Sequence, residues 1–514
     1  MRKFFVYCML LIGYFQSFAQ KRLLDHSVYD SWQSIGERMI SNDGKWVVYT
    51  INVQEGDNDL VIQSSDATYK KTISRGYTAT ITEDNRFVVF KIKPFYKETR
   101  DAKIKKKKPD EMPKDSFAIV ELGKYLVYKV PKVKTFKTPE KGFGWVAYNL
   151  EKTPEPEKFK SSPGDNGNKK IVDSLNRTID SLMILVSQPP PSTEKKKKKR
   201  DEEMDNGELL SDNYEDAESD DAISSSTTEG TDLVLRNLLN GVEKTFPFVS
   251  EYYFNKTGKK LVIETTKNVK DSLSKAAVLM VDLERMKTDT ILNGGNDFKN
   301  FAMTDDGSQL AFVAERDSKP KDLQKFYKLW YYKEARPDDP VGRGMDSAIV
   351  MADKNSVGMK LGMTISEFGN INFSKSGKRV FFGTAPIQPP KDTALVDFET
   401  AKLDIWHYNE DYLQTVQLFR LKQNLEENYL AMYDIEKNVI NQLGSKEIPT
   451  VYQTKEGDGE TFAGVSDFGK RIESQWQGYA LKDIYAINVA DGSKKLVGKD
   501  INAVISPAYI SPTG

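Results

Sequence analysis

Short apolar runs alternate with polar turns along most of the chain. The runs are three or four residues long, contain many β-branched and aromatic side chains, and are too brief for helices. This pattern predicts buried β-strands. The strands are expected at residues 46–49, 87–90, 261–263, 310–313 and 380–382.

A recurrent polar turn precedes each of these runs. In each copy an apolar residue is followed by Ser, Thr or Asn, then by a polar pair and Gly or Asn, which accept the left-handed backbone of a tight turn. Each copy is therefore predicted to join two strands. Six complete copies lie at residues 40–45, 81–86, 254–259, 303–308, 373–378 and 465–470. A divergent copy with a distorted turn lies at residues 136–148, and the start of a further copy lies at residues 510–514.

A second kind of strand falls between these turns and ends in a polar turn of its own, at residues 278–283, 429–435 and 484–492. Two hairpins per unit give four strands, and the units recur at the roughly 40 to 50 residues of a propeller blade. We therefore expect an all-β fold, a β-propeller of four-stranded blades. Longer gaps hold insertions or degenerate blades, so seven or eight blades fit equally well. A β-sandwich is disfavoured because it does not repeat one turn at blade spacing.

The first twenty residues have the pattern of a secretory signal peptide. Arg2 and Lys3 precede an apolar run over residues 4–15, and Ala19 closes a small-residue cleavage site. An uncleaved anchor is the alternative. Cys8 is the only cysteine, so the mature chain would contain no cysteine zinc ligand or cysteine nucleophile. We expect a periplasmic or secreted protein without a membrane span once the signal is removed.

Charge is balanced, with 75 basic and 75 acidic residues, which gives no sign of a polyanionic partner. The lysine runs at residues 105–108 and 195–199 are each followed by acidic residues, so we expect solvated loops and no nucleic-acid binding. Residues 151–230 are rich in Lys, Glu, Asp, Ser and Pro and are predicted to be a largely disordered insertion. Apolar residues at helical spacing within it, from Ile171 to Val186, fit either a docking helix or a transient one.

These boundaries divide the chain into four expected regions. They are a signal peptide at residues 1–19, the first blades at 20–150, the low-complexity insertion at 151–230, and the remaining blades at 231–514.

The sequence contains few groups able to perform catalysis. Its two histidines, His26 and His407, are predicted to be structural, the first in a terminal polar contact and the second in strand packing. Ser466 comes closest to a nucleophile elbow, but Phe468 stands where that motif has glycine. No catalytic residue, metal site or cofactor site is predicted, and the substrate-binding residues are unknown.

Several longer strings resemble a known family. They lie at residues 32–35 with 40–49, 113–116, 233–238, and 404–408 with 412–414. Together they resemble the N-terminal propeller region of exported prolyl-oligopeptidase-like (S9 family) serine peptidases, particularly the long Bacteroidetes type. Dipeptidyl peptidases use an acidic pair to hold the amino terminus of a substrate. Glu426 and Glu427 lack the flanking residues of that pair and are predicted to form a turn before the strand at Tyr429.

The resemblance implies a propeller that covers an active site and admits peptides rather than folded proteins. It also implies an α/β-hydrolase domain whose Ser, Asp and His follow in that order. No residue of this chain matches them, so the resemblance implies that catalysis lies beyond residue 514. The propeller is expected to be incomplete at its C-terminus, because the copy of the turn that starts at residue 510 lacks the strand that follows the earlier copies. The alternative is a non-enzymatic periplasmic propeller that binds partners. Oligomeric state is left open.

Overall fold

The computed structural model describes residues 32–152, 229–319, 321–334, 347–390 and 404–502, together with residues 29, 345 and 393. Within these residues the regular structure is almost entirely antiparallel β-sheet. Consecutive strands pair with one another, so each sheet follows the order of the chain. We call the four strands of one blade A, B, C and D.

Blades 1 and 2 are separate four-stranded sheets. Their strands are β1 (Gln33–Ile40), β2 (Trp46–Val53), β3 (Asp59–Ser64), β4 (Lys70–Ser74), β5 (Gly76–Ile81), β6 (Phe87–Ile92), β7 (Ser116–Glu121) and β8 (Val127–Pro131).

Blades 3 and 4 share one long strand, β12, and therefore form a single seven-stranded sheet. The first half of β12 pairs with β11 as strand D of blade 3, and the second half pairs with β13 as strand A of blade 4. The strands are β9 (Val133–Lys137), β10 (Trp145–Leu150), β11 (Thr231–Asn237), β12 (Glu243–Phe254), β13 (Lys260–Thr265), β14 (Ala277–Asp282) and β15 (Lys287–Asn293).

Blades 5, 6 and 7 follow the same order, except that strand A of blade 6 is split into two short pieces, β20 and β21. Their strands are β16 (Asp297–Met303), β17 (Gln309–Glu315), β18 (Lys328–Lys333), β19 (Ile349–Ala352), β20 (Met363–Ile365), β21 (Asn372–Phe373), β22 (Arg379–Pro386), β23 (Tyr429–Asp434), β24 (Val439–Gln442), β25 (Thr450–Tyr452), β26 (Thr461–Ser466), β27 (Lys482–Asn488) and β28 (Lys494–Ile501).

Few helices interrupt the sheets in the described part of the chain. They are α1 (Tyr96–Ile104), a 3-10 turn (Pro109–Glu111), α2 (Gln414–Phe419), α3 (Leu421–Leu425) and α4 (Arg471–Gln477).

Hydrophobic clusters join each described blade to the next one. In β17, Leu310, Phe312 and Ala314 face the cluster shared with blade 4, whereas Ala311 and Val313 face the cluster shared with blade 6. Side chains of a strand alternate between its two faces, so a strand between two blades is apolar at every position. This explains the continuous apolar runs. Burial of a large side chain such as Phe312 contributes about 1.5–3 kcal/mol.

Five of the six complete copies of the recurrent polar turn join strands A and B. The copy at residues 465–470 instead follows strand B of blade 7 and leads into α4, so its sequence pattern marks a B–C connection. In the first copy the Ser41 hydroxyl donates to Asp43 at 2.6 Å and accepts from the Trp46 amide at 2.9 Å. Gly44 adopts the left-handed conformation, with a φ of 71°. The hydrogen bonds from Ser41 and from the Lys45 amide lower the pKa of Asp43. The Ser/Thr, the acid and the glycine of the pattern therefore each have a local structural role.

The structure confirms the predicted all-β propeller fold of four-stranded blades. All the predicted apolar runs are strands B, and the divergent copy at residues 136–148 is the β9–β10 hairpin. The described strands make up seven blades; for the whole protein, seven or eight blades stays a prediction. The signal peptide, nearly all of the low-complexity insertion and the turn at residues 510–514 lie outside the described residues.

Candidate functional site

Elaborations of the blades gather at one end of the strands. Because the strands of a blade are antiparallel, the A–B and C–D turns share one end, and the B–C and D–A connections share the other, which we call the connection end. Every α-helix of the described residues lies in a B–C connection, in blade 2, 6 or 7. The connection end therefore carries all the helical insertions of the described blades.

An ionic cluster at the connection end joins blade 5 to blade 6. Lys299 in β16 donates a hydrogen bond to the Glu367 carboxylate and lies 3.3 Å from Asp297. The Tyr327 hydroxyl donates to the same Asp297 carboxylate. Burial alone lowers the pKa of Lys299, but the hydrogen bond to Glu367 and the charge of Asp297 outweigh it and hold the pKa above its usual value.

A β-bulge in β16 positions this cluster. The register between β16 and β17 shifts after Lys299, and the next residue, Asn300, has a φ of 57°. Asn accepts this left-handed conformation more readily than most residues. The Asn300 amide then donates to the backbone oxygens of Glu367 and Gly369 at 2.7 and 2.9 Å. The bulge thus turns two successive side chains of blade 5 onto blade 6.

Glu264, at the end of β13, is a buried carboxyl next to this cluster, with only 7% of its surface exposed. Burial raises its pKa to about 8; Asp297 and Glu251 add to the rise, while Ser250 and Lys299 oppose it. Most of the Glu264 side chains in a population are therefore protonated at neutral pH.

A cavity of about 220 Å³ opens beside Glu264. Its other lining residues include Asn296, Phe298, Ser318 and Lys325. The Ser318 hydroxyl donates to the buried Glu315 carboxylate at 2.6 Å, and the Asn296 amide donates to the same carboxylate at 2.9 Å. The Glu315 carboxylate thus fixes the Asn296 and Ser318 side chains, and the cavity presents polar groups beside Glu264.

An exposed apolar surface lies on the B–C connections of blades 6 and 7. We call it the aromatic surface, and its main members are Trp406, Tyr408, Phe419, Leu421, Leu425 and Trp476. The two connections contact each other, because Arg471 of α4 forms an ion pair with Asp411 at 3.6 Å and Gln475 donates to the Asp411 backbone oxygen at 3.2 Å. Large exposed apolar groups on adjoining insertions make this region a candidate binding site.

The structure does not bring the sequence-predicted candidates together into one site. His407 lies in an exposed turn, where its Nδ1 accepts from the Asn409 amide at 3.2 Å. The predicted strand packing of His407 was therefore wrong: its aromatic neighbours belong to an exposed insertion instead of a blade. His26 lies outside the described residues.

Two other candidates lie where the sequence predicts. Glu426 and Glu427 form the turn between α3 and β23. Ser466 is buried at the end of β26, where its hydroxyl donates to the Glu447 backbone oxygen and accepts from the Phe468 amide at 3.1 Å. Of the two lysine runs, residues 105–108 form an exposed loop after α1, as predicted, and residues 195–199 lie outside the described part of the chain.

Three of the strings behind the family resemblance lie in or beside blade strands, whereas the string at residues 404–408 with 412–414 lies in the exposed B–C insertion of blade 6. Asp115 in the string at residues 113–116 accepts from the Tyr77 hydroxyl and pairs with Lys91 at 2.6 Å. In the string at residues 233–238 the leucines are buried between blades, while Arg236 pairs with Glu243 at 2.6 Å. These residues therefore have structural roles in blades 2 and 3.

Metal ligation and membrane insertion find no support in the residues that the structure describes. Among them, no three His, Cys, Asp or Glu side chains are grouped closely enough to hold a metal ion. None of their helices is both long and apolar enough to cross a bilayer.

Sequence reasoning missed the Lys299 cluster and Glu264. The only available signal was a charged residue at the end of an apolar run, as in the strand that ends with Glu264 and Thr265. Such an end is polar in most strands, so the signal does not distinguish a buried carboxyl from an exposed one. The partners of Lys299 and Glu264, which include Glu251 and Glu367, come together only through the packing of blades 4, 5 and 6.

No protein-family model matches the chain, and no curated protein matches its sequence. Similar solved structures include the acylaminoacyl peptidase of Pyrococcus horikoshii, with a TM-score of 0.30, 9% identity and coverage of 92% of this chain and 54% of that chain. The β-propeller domain of the Trilobed protease from Pyrococcus furiosus gives a TM-score of 0.29, 9% identity and coverage of 92% and 100%. TolB from Acinetobacter baumannii gives a TM-score of 0.26 and 8% identity, with coverage of 91% of this chain and 79% of that chain.

The chain thus spans about half the length of the acylaminoacyl peptidase that it resembles. At these identities and TM-scores, the similarities assign no activity to the chain.

Proposed function

We propose that this chain is the propeller portion of an exported serine peptidase that hydrolyses peptides. The observation that carries the proposal is the coincidence of two features. The strings at residues 32–35 with 40–49, 113–116 and 233–238 resemble those of S9 peptidase propellers, and these same strings lie within or beside strands of four-stranded blades. The catalytic α/β-hydrolase domain would lie beyond residue 514, and the propeller would limit access to peptides.

The proposal includes the regions expected from the sequence. Residues 1–19 would direct export to the periplasm or the medium and then be removed. Residues 20–150 and 231–514 would form the blades, and residues 151–230 would be an insertion in the B–C connection of blade 3. The described parts of blade 3 support this position, because β10 ends at Leu150 and β11 begins at Thr231.

A peptidase assay on two products tests the proposal. The product of the extended reading frame should hydrolyse fluorogenic peptides and lose this activity with a serine-reactive inhibitor, whereas the 514-residue chain should be inactive. An extended frame without a G-x-S-x-G motif followed by Asp and His would refute the peptidase assignment.

A non-enzymatic binding propeller is the second candidate. The aromatic surface favours it, because a protein that binds partners presents apolar groups at its surface. Full-length protein that binds partners but hydrolyses no peptide in the same assay would support this candidate over the first.

A further inference from the structure

The aromatic surface consists of side chains that the described blades do not cover. Phe419 is 91% exposed, Trp476 is 71% exposed and Trp406 is 64% exposed. Single exposed apolar residues are common in soluble proteins. Here, however, they lie on two adjoining insertions, which contact each other through the ion pair of Arg471 and Asp411.

The two helices of the blade 6 insertion, which carry Phe419, Leu421 and Leu425, lack the usual sources of stability. Helix α2 has six residues and α3 has five, neither has a side-chain cap, and neither contributes a buried residue. Isolated helices of this length are unstable in water, and most helices in proteins are held by packing of an apolar face. A further element that covers the apolar faces of α2 and α3 would supply the missing packing.

The charge of this surface indicates what kind of element would fit. Residues 404–427 contain five acidic side chains and two basic ones. One of the basic side chains, Arg420, lies over the Tyr412 ring at 4.7 Å. The acidic groups at the two ends of the segment, Asp404 and the Glu426–Glu427 pair, flank its apolar residues. Complementary charge favours a partner that is basic as well as apolar.

We propose that the aromatic surface is a docking site for a basic, amphipathic peptide segment of a partner protein. The apolar face of the segment would cover Phe419, Trp406 and Trp476, and its lysines or arginines would meet Glu426 and Glu427. This recognition mode uses the apolar face of a helix for affinity and its charges for selectivity. The inference stands whether the parent is a peptidase or a scaffold, and its test does not depend on peptidase activity.

A pair of synthetic peptides tests this inference on the 514-residue chain. One is an amphipathic peptide of leucine and lysine, and the other replaces every lysine with glutamate. Two of the six tryptophans of the chain lie in the aromatic surface, so binding should change its tryptophan fluorescence, and calorimetry should give the affinity. The lysine peptide should bind, with an affinity that falls as salt increases, and the glutamate peptide should not.

Matched variants locate the binding. The double variant Phe419→Ser with Trp476→Ser removes two exposed side chains and should weaken binding roughly tenfold or more, as expected for aromatic anchor residues. Leu126→Ser is the control, because Leu126 is 81% exposed but lies in the C–D turn of blade 2, at the other end of the strands. The pair Glu426→Gln and Glu427→Gln should reduce the salt dependence.

Three results would overturn the inference. The first is equal binding of both peptides. The second is equal binding of the lysine peptide to the Phe419→Ser, Trp476→Ser double variant and to the Leu126→Ser variant. The third is a fluorescence change with phosphatidylcholine vesicles that matches or exceeds the change with the lysine peptide. Sedimentation decides whether a second copy covers the surface instead. A dimer that is lost in the Phe419 variant and that the lysine peptide does not dissociate would also overturn it.

Discussion

At the scale of single residues, the A–B turns show how the sequence pattern determines backbone conformation. Gly44 and Gly307 occupy the same position of the pattern, with φ angles of 71° and 73°, and Asn85 occupies it at 54°. Only glycine adopts this region without strain, and asparagine adopts it at small cost. The sequence therefore predicted these three turns, because the left-handed conformation restricts the residue type directly.

Substitution of these two glycines should separate backbone strain from packing. We expect Gly44→Ala to lower the free energy of unfolding by about 1 kcal/mol, the cost of a left-handed Ala, since a Cβ there meets nothing within 4 Å. Gly307→Ala should cost more, because its Cβ would lie 2.7 Å from Cγ of Lys260, which is held by Asp282. Urea unfolding of both variants measures the difference, and equal losses would contradict this account.

Protonation of Glu264 should make stability depend on pH. The pKa of its carboxyl is about 8 in the folded chain and about 4.5 in the unfolded chain, so between these values the folded chain retains a proton that the unfolded chain has released. The contribution of Glu264 is therefore fully present below about pH 4.5 and is lost as the pH rises through about 8.

Glu264→Gln should remove this part of the pH dependence. Between pH 5 and pH 9 the variant should lose less stability than the natural chain, as followed by urea unfolding at each pH, with Glu284→Gln as a control at an exposed site. Identical pH profiles for the natural chain and the Glu264 variant would show that this carboxyl does not titrate as described.

At the scale of elements, the ionic cluster should connect blades 5 and 6. Lys299 and Glu367 are each about one-third exposed, so their pair lies between a surface pair and a buried one. A double-mutant cycle with Lys299→Met and Glu367→Gln should give a coupling of about 1 kcal/mol. The exposed pair of Lys259 and Glu284, measured in the same way, should give a smaller coupling. If the two couplings are equal, the cluster has no special role between blades.

Strands were predictable to the extent that their residues face neighbours on both sides. The apolar run at residues 310–313 identified β17 because burial between two blades leaves no polar position. The turn at residues 303–308 implied a strand before it, but the bounds of strand A of blade 5 were not predicted, because Lys299 and Asn300 depend on a bulge and on contacts to blade 6. Likewise, nothing in the local pattern of residues 404–408 distinguishes an exposed insertion from a strand. Contacts between elements far apart in sequence determine these features.

At the scale of the whole molecule, consecutive blades are linked by shared hydrophobic clusters and by one pairing that spans the insertion. Strands β10 and β11 pair over five residues each, from Trp145 opposite Asn237 to Asn149 opposite Leu233. This pairing is made entirely by described residues on the two sides of residues 153–228. Blade 3 therefore joins two parts of the chain without needing the covalent connection between them.

Limited proteolysis should reveal this arrangement. The composition of residues 151–230 predicts that a protease cuts there first, and the two fragments should still elute together in native buffer because the β10–β11 ladder and its clusters remain. Leu235→Ala, at a buried position of β11, should lower the urea concentration at which the nicked fragments separate, since such a truncation costs about 2–5 kcal/mol. Leu239→Ala, at a half-exposed position in the next turn, should leave it nearly unchanged. Fragments that separate in native buffer would show that the β10–β11 ladder does not hold blade 3 together. A first cut within a blade would contradict the predicted disorder of residues 151–230.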